Sequence, residues 1–159
     1  MESTLSDWAD VQGLPGALGL DLDPDFQRGH VWTEAKQIAY VEFCLRDGQG
    51  SRTLLFNHPG WNKDYKGMMV LVDGKQRLEA VRKFLRNDLP IFGGNRLNDF
   101  EDKDRLLRTN AAHFTFSVNA LPTRREVLEW YLQINSGGVV HTAEELAKVE
   151  ELLKNEVPF

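Results

Sequence analysis

The chain has 159 residues, of which 42% are hydrophobic and 27% are charged, a composition typical of a folded globular domain. No apolar run approaches the roughly 18 residues that a membrane span requires, and the opening residues have no export signal, so we expect a cytoplasmic protein with no membrane partner. The single cysteine, Cys44, excludes an intramolecular disulfide and a cysteine-based zinc site. A net charge of −5 argues against a protein whose main task is to coat nucleic acid.

The chain divides into two parts of unequal size. Residues 1–22 contain several glycines and a proline and are expected to form a loosely ordered lead-in segment. Residues 23–159 show no internal repeat, low-complexity tract or linker, so we expect them to fold as a single domain.

The first predicted elements are a helix, a strand and a loop. Thr33 is placed to cap the helix. Its apolar residues recur at helical spacing and define a buried face: Ile38, Val41, Cys44 and Leu45. Residues 54–56 are a short strand candidate, and the turn-rich loop at residues 57–67 is a candidate cover for a site.

A buried strand followed by a helix is predicted next. Residues 68–72 are uniformly apolar, which is typical of a strand buried on both faces. Helical spacing resumes shortly afterwards, with apolar positions Leu78, Val81, Phe84 and Leu85. Arg82, Lys83 and Arg86 on this helix are either a solvated face or a local basic surface.

The remaining predicted elements are one strand and two helices. Residues 113–118 alternate large apolar side chains with smaller or polar ones, as in a half-buried strand. Two capping boxes, Thr123 with Glu126 and Thr142 with Glu145, then start the two helices that close the chain.

Asp73 to Arg77, in sequence Asp-Gly-Lys-Gln-Arg, occupies the predicted turn from buried strand to helix. Such a turn presents unpaired backbone N–H groups and the positive end of the helix dipole, which favour a bound phosphate. Gly74 permits close backbone approach, and Lys75, Gln76 and Arg77 supply donors for phosphate oxygens. Asp73 is the candidate ligand for Mg²⁺ or for positioning a reacting oxygen. The same residues also fit an ordinary surface turn.

Three segments together resemble the N-terminal domain of GmrSD-type modification-dependent restriction enzymes. Residues 26–32 read Phe-Gln-Arg-Gly-His-Val-Trp, similar to the opening Tyr/Phe-Gln-Arg…Trp segment of that family. Residues 73–77 resemble its Asp-Gly-Gln-Gln-Arg motif, with Lys75 in place of the usual glutamine. Residues 134–146 resemble its closing Ile-Asn-x-Gly-Gly…Glu-Leu segment. The resemblance implies an α/β (α+β) fold of the ParB/sulfiredoxin-like type, a small mixed sheet flanked by helices, that binds nucleotides at the 73–77 turn.

The resemblance also implies further site residues outside this turn. Arg28 would contact the phosphates, although a structural salt bridge is an equal alternative. Asn135, Gly137 and Gly138 would form a turn that faces the nucleotide. Glu34 falls where phosphotransferases of this fold place a catalytic base, together with Asp73 and Arg77, but it also fits a first-turn glutamate favoured by the helix dipole.

These features predict an enzyme that uses ATP or GTP with Mg²⁺. Transfer of the γ-phosphate to a hydroxyl on DNA or on a modified base is favoured, because no nuclease motif follows the closing segment. The alternative is a nucleotide-hydrolysing sensor subunit that works with an effector protein in restriction or defence. A more distant alternative is a DNA-binding module without catalytic activity.

Overall fold

The computed structural model describes residues 19–27, 29, 31–46, 52–107, 113–136 and 143–155. These residues form a mixed α/β fold, which confirms the predicted small mixed sheet with helices. The strands are β1 (Gly19–Asp21), β2 (Thr53–Asn57), β3 (Met68–Asp73) and β4 (Thr115–Asn119). The helices are α1 (Glu34–Leu45), α2 (Lys75–Leu85), α3 (Lys103–Leu106), α4 (Arg124–Ser136) and α5 (Ala143–Asn155), with a short 3-10 turn at Leu97–Asp99.

The strand order in the sheet is β1-β3-β2-β4. β3 runs parallel to β1 and antiparallel to β2, and β4 runs parallel to β2. The carboxyl ends of β1 and β3 therefore lie at one edge of the sheet, where Asp73 ends β3. The loop at residues 57–67, predicted as a candidate cover for a site, joins β2 to β3 at the other edge, so it lies at the opposite end of β3 from the turn at residues 73–77.

Both faces of the sheet are covered by helices, as neighbouring residues of β3 show. Leu71 packs with Leu54 of β2 and Leu78 of α2 in one buried cluster. Val72 packs with Leu128 of α4 in another. Because successive side chains of a strand point to opposite faces, α2 lies against one face and α4 against the other.

A third buried cluster joins α1 to α2 and confirms the predicted helix after Thr33. The Thr33 hydroxyl accepts a hydrogen bond from the Lys36 N–H at 3.3 Å, as an N-cap residue does. The apolar face of α1 packs on α2 and on the segment after it. The buried members are Tyr40, Val41, Cys44, Leu45, Ala80, Val81, Phe84, Leu89, Ile91 and Leu97.

The ends of the sheet depart from the sequence prediction. Residues 19–21, assigned to the lead-in segment, form β1 and pair with β3. β3 is buried only at its carboxyl half, since Met68 is exposed. Phe116 of β4 was expected on a half-buried face but is 51% exposed, because β4 is an edge strand. Strand order arises from pairing between distant segments, and local alternation does not encode it.

The closing helices agree with the prediction where they are described. The Thr123 N–H donates to Glu126 Oε2, and the Glu126 N–H donates to Thr123 Oγ1, so this capping box forms. The second predicted capping residue, Thr142, lies outside the described residues. No helix within the described part of the chain is both long and apolar enough to cross a membrane.

The Tyr40 hydroxyl makes the stability of this core sensitive to high pH. Burial raises the pKa of Tyr40 above its ordinary value, and Cys44 adds to the shift, while Arg77 and Arg52 oppose it. The folded state therefore disfavours tyrosinate, so this contribution to stability is complete below about pH 10, the ordinary tyrosine pKa. It is lost as the pH rises towards the higher folded value.

We expect the free energy of unfolding to fall above about pH 10, with Tyr40 contributing up to about 1.4 kcal/mol per pH unit. Tyr40→Phe keeps the ring that packs against Trp32 and should flatten this alkaline slope. Tyr65→Phe, at an exposed tyrosine, is the control. Urea unfolding between pH 8 and pH 11 measures the slopes, and equal slopes in the two variants would contradict the assignment.

Candidate functional site

Gly74 shapes the turn between β3 and α2. It is the N-cap residue of α2 and adopts φ 103° and ψ 4°, a left-handed conformation that favours glycine. A Cβ atom at this position would also overlap Leu54 Cδ2. The structure therefore gives Gly74 a packing role against the core, and the close approach of a phosphate to its backbone stays a prediction.

Arg77 and Asp73 form an ion pair across this turn. Arg77 Nη2 donates to Asp73 Oδ2 at 2.7 Å and to the Thr53 carbonyl at 2.9 Å. The second bond ties the start of α2 to the start of β2. Two of the three residues predicted to be catalytic are thus in contact, and the Arg77 guanidinium already donates to a carboxylate and to a carbonyl.

Gln76 fastens α2 to the segment that precedes α1. Its Oε1 accepts hydrogen bonds from the N–H groups of Val31 and Trp32 at 3.1 and 3.2 Å. Its Nε2 donates to the Gly29 carbonyl at 3.1 Å. An amide can satisfy donors and an acceptor at once, which neither a carboxylate nor an ammonium group can do.

Phe26 and Gln27 attach the same segment to the sheet and to α4. Gln27 Nε2 donates to the Leu71 carbonyl of β3. The Phe26 ring meets the edge of Tyr131 with centroids 5.2 Å apart. The segment at residues 26–32, the turn at residues 73–77 and α4 are therefore in contact through their side chains.

Lys75 points away from the other residues of the turn, towards the loop after β1. It forms an ion pair with Asp23 and lines an open pocket of about 760 Å³. The pocket lies where β1 and β3 end, an edge where ligands bind in many open α/β sheets. Its lining residues are Leu22, Asp23, Pro24, Asp25, Gln27, Gly29, Lys75, Leu78, Glu79, Arg82, Lys83 and Lys148.

Of the predicted site residues that the structure describes, only Lys75 lines this pocket. Glu34 is exposed in the first turn of α1. Asn135 Nδ2 donates to the Tyr131 carbonyl at 2.7 Å, one helical turn earlier in α4. Arg28, Gly137 and Gly138 lie outside the described residues, so their assignments stay predictions.

Several pocket residues were missed as site residues by the sequence analysis. Glu79, Arg82 and Lys83 share one face of α2 with Lys75, which was predicted, since residues three or four apart on a helix are neighbours. This helical spacing of charged residues could have been recognised in the sequence. Asp23 and Lys148 reach the pocket only through the tertiary fold, and no local pattern marks them.

The described residues contain no group of three or more His, Cys, Asp or Glu side chains arranged to hold a metal ion. A magnesium ion bound together with a nucleotide needs only one or two carboxylates, because phosphates supply other ligands. Asp73 fits that lesser requirement in part. Its Oδ2 is engaged by Arg77, which leaves Oδ1 for a metal.

Gly74→Ala should destabilise the protein by about 2–5 kcal/mol, because it combines a left-handed alanine, about 1–2 kcal/mol, with overpacking against Leu54, about 1–3 kcal/mol. Gly93→Ala is the matched control. Gly93 also has a positive φ, 83°, but a Cβ atom there meets nothing within 4 Å, so only the backbone cost applies. Chemical denaturation measures both variants, and an equal loss of stability would show that the contact with Leu54 is unimportant.

Comparison of the chain with protein-family models, curated proteins and solved structures found no match in any of the three.

Proposed function

We propose that the chain binds ATP or GTP in the pocket beside Lys75 and transfers the γ-phosphoryl group to a hydroxyl, on DNA or on a modified base. The observation that carries the proposal is the basic pocket at the ends of β1 and β3. Its volume of about 760 Å³ lies within the range of about 300–1,000 Å³ usual for small-molecule sites.

The charges in the pocket favour a phosphate ligand. Four basic side chains line it in a protein whose net charge is −5: Lys75, Arg82, Lys83 and Lys148. The three acidic lining residues are each paired with a cation. Asp23 pairs with Lys75, Asp25 with Arg124, and Glu79 with Arg82. A phosphate chain carries more negative charge than any one of these carboxylates, and ammonium and guanidinium groups bind it strongly.

The contacts of the first resembling segment support membership in the GmrSD-type family and a ParB/sulfiredoxin-like fold. Gln76 of the second segment binds the backbone of Gly29, Val31 and Trp32, and Phe26 packs on Tyr131 of α4, the helix in which the third segment begins. The first segment therefore adjoins the second segment and this helix, as expected if they serve a single site.

The residues of the turn and of the neighbouring helices have different roles in the proposed phosphoryl transfer. Lys75 and Arg82 neutralise the phosphates, where positioning and charge stabilisation supply most of the catalysis. Gln76 and Arg77 hold the turn and its neighbouring segment in place. Asp73 orients the reacting oxygen or holds Mg²⁺, which would neutralise charge on the phosphates when bound. Glu34 stays the candidate base for the acceptor hydroxyl.

Lys75→Ala should weaken the binding of a fluorescent ATP or GTP analogue by about tenfold or more, since hydrogen bonds to charged groups are worth about 1.5–3 kcal/mol. Arg82→Ala should act in the same direction. Lys66→Ala is the control, because Lys66 is an exposed lysine paired with Asp64 and does not line the pocket. Equal affinity in all four proteins would overturn the location of the site.

The reaction itself is tested with γ-labelled ATP and GTP, Mg²⁺ and DNA that contains hydroxymethylated bases. Label that moves to DNA supports the transferase. Label that appears only as free phosphate would instead support the nucleotide-hydrolysing sensor subunit, for which copurification with an effector protein becomes the next experiment. If the chain neither binds nor cleaves either nucleotide, the proposed function is wrong.

A further inference from the structure

The ion pair between Lys75 and Asp23 occupies the pocket where phosphates are proposed to bind. Both residues line the pocket, and the pair joins the loop after β1 to the first residue of α2. We infer that Asp23 is an internal competitor that occupies Lys75 in the nucleotide-free protein and is displaced by phosphate, so that Asp23 sets the affinity of the site. This inference rests on the proposed function.

The two partners differ sharply in their exposure to water. The Lys75 side chain is 16% exposed, whereas the Asp23 side chain is 77% exposed. A lysine whose side chain is largely buried keeps its charge more easily beside an anionic partner. An exposed carboxylate regains its hydration at once on release, so separating it costs little. The ion pair can therefore exchange its anion. Asp23 leaves, and Lys75 keeps its position.

The negative charge of each competing anion determines which of them binds Lys75. A carboxylate contributes one negative charge, while the phosphates of a nucleoside triphosphate carry several within the same space. Coulombic attraction grows in proportion to charge, and Arg82, Lys83 and Lys148 line the same pocket. A polyphosphate gains from all these cations, whereas among the described residues Asp23 forms an ion pair with Lys75 alone.

Asp25 provides a matched comparison for Asp23. It lies two residues further along the same loop and lines the same pocket, but its carboxylate oxygens accept from Arg124 Nη2 at 2.9 and 2.8 Å. Arg124 does not line the pocket. Asp25→Asn and Asp23→Asn therefore remove the same charge from the same pocket, and only Asp23→Asn removes the carboxylate that pairs with Lys75.

The test is a comparison of affinities for inorganic tripolyphosphate and for a non-hydrolysable triphosphate, measured by calorimetry at fixed salt. Asp23→Asn should tighten binding about twofold to tenfold, the range that fits the loss of a partly exposed ion pair and of a repelling charge. Asp25→Asn should tighten binding less. In a Lys75→Ala background the difference between the two asparagine variants should vanish, as a double-mutant cycle requires.

The possible outcomes separate the inference from the proposed function. If the wild-type protein binds both ligands but Asp23→Asn gains no more affinity than Asp25→Asn, the inference is wrong and the proposed function stands. If neither ligand binds to any variant, the proposed function fails and the inference fails with it. Denaturant unfolding of the Asp23 variant is measured alongside, and a variant that is fully folded under the conditions of the calorimetry shows that a change in affinity is local.

Discussion

The packing of Gly74 against Leu54 is the constraint on which the rest of the site depends. A left-handed residue without a side chain lets β3 turn into α2 within one residue while the turn stays buried. The three residues that follow then diverge. Lys75 enters the pocket, Gln76 reaches the backbone before α1, and Arg77 folds back on Asp73 and β2. A wider turn would place none of these side chains where their partners are.

The side chains of this short motif therefore have two different roles, to hold the turn in place and to bind the ligand. Gln76 and Arg77 are committed to structural hydrogen bonds, most of them to the backbone, which fixes the position of the turn. Lys75 instead forms an ion pair with an exposed carboxylate. A rigid turn with one lysine that can exchange its anionic partner suits a site that must hold phosphates in a defined place and later release them. The apolar faces of α1 and α2 pack together in one buried cluster, and this packing makes the turn rigid.

Local patterns in the sequence were sufficient for the central turn and for most elements, but not for β1 or α3. The cap at Thr33 and the spacing of Val41 and Leu45 define α1, and the change from a continuous apolar run to helical spacing locates the boundary at Gly74. Contacts between distant segments could not be predicted from local patterns in the sequence. Gln76 bonds to Trp32 across 44 residues and Lys75 to Asp23 across 52, and nothing in either segment specifies the other. The exposure of Phe116 likewise follows from strand order, which is a property of the assembled sheet.

The location of the phosphates relative to Lys75 tests the central claim most directly. A crystal structure of the complex with a non-hydrolysable ATP or GTP analogue and Mg²⁺ should place a phosphate oxygen within about 2.7–3.2 Å of Lys75 Nζ, a hydrogen-bond distance. In that structure Asp23 should no longer contact Lys75. A nucleotide bound elsewhere on the protein, with the Lys75–Asp23 pair intact, would contradict both the site and the exchange proposed for it.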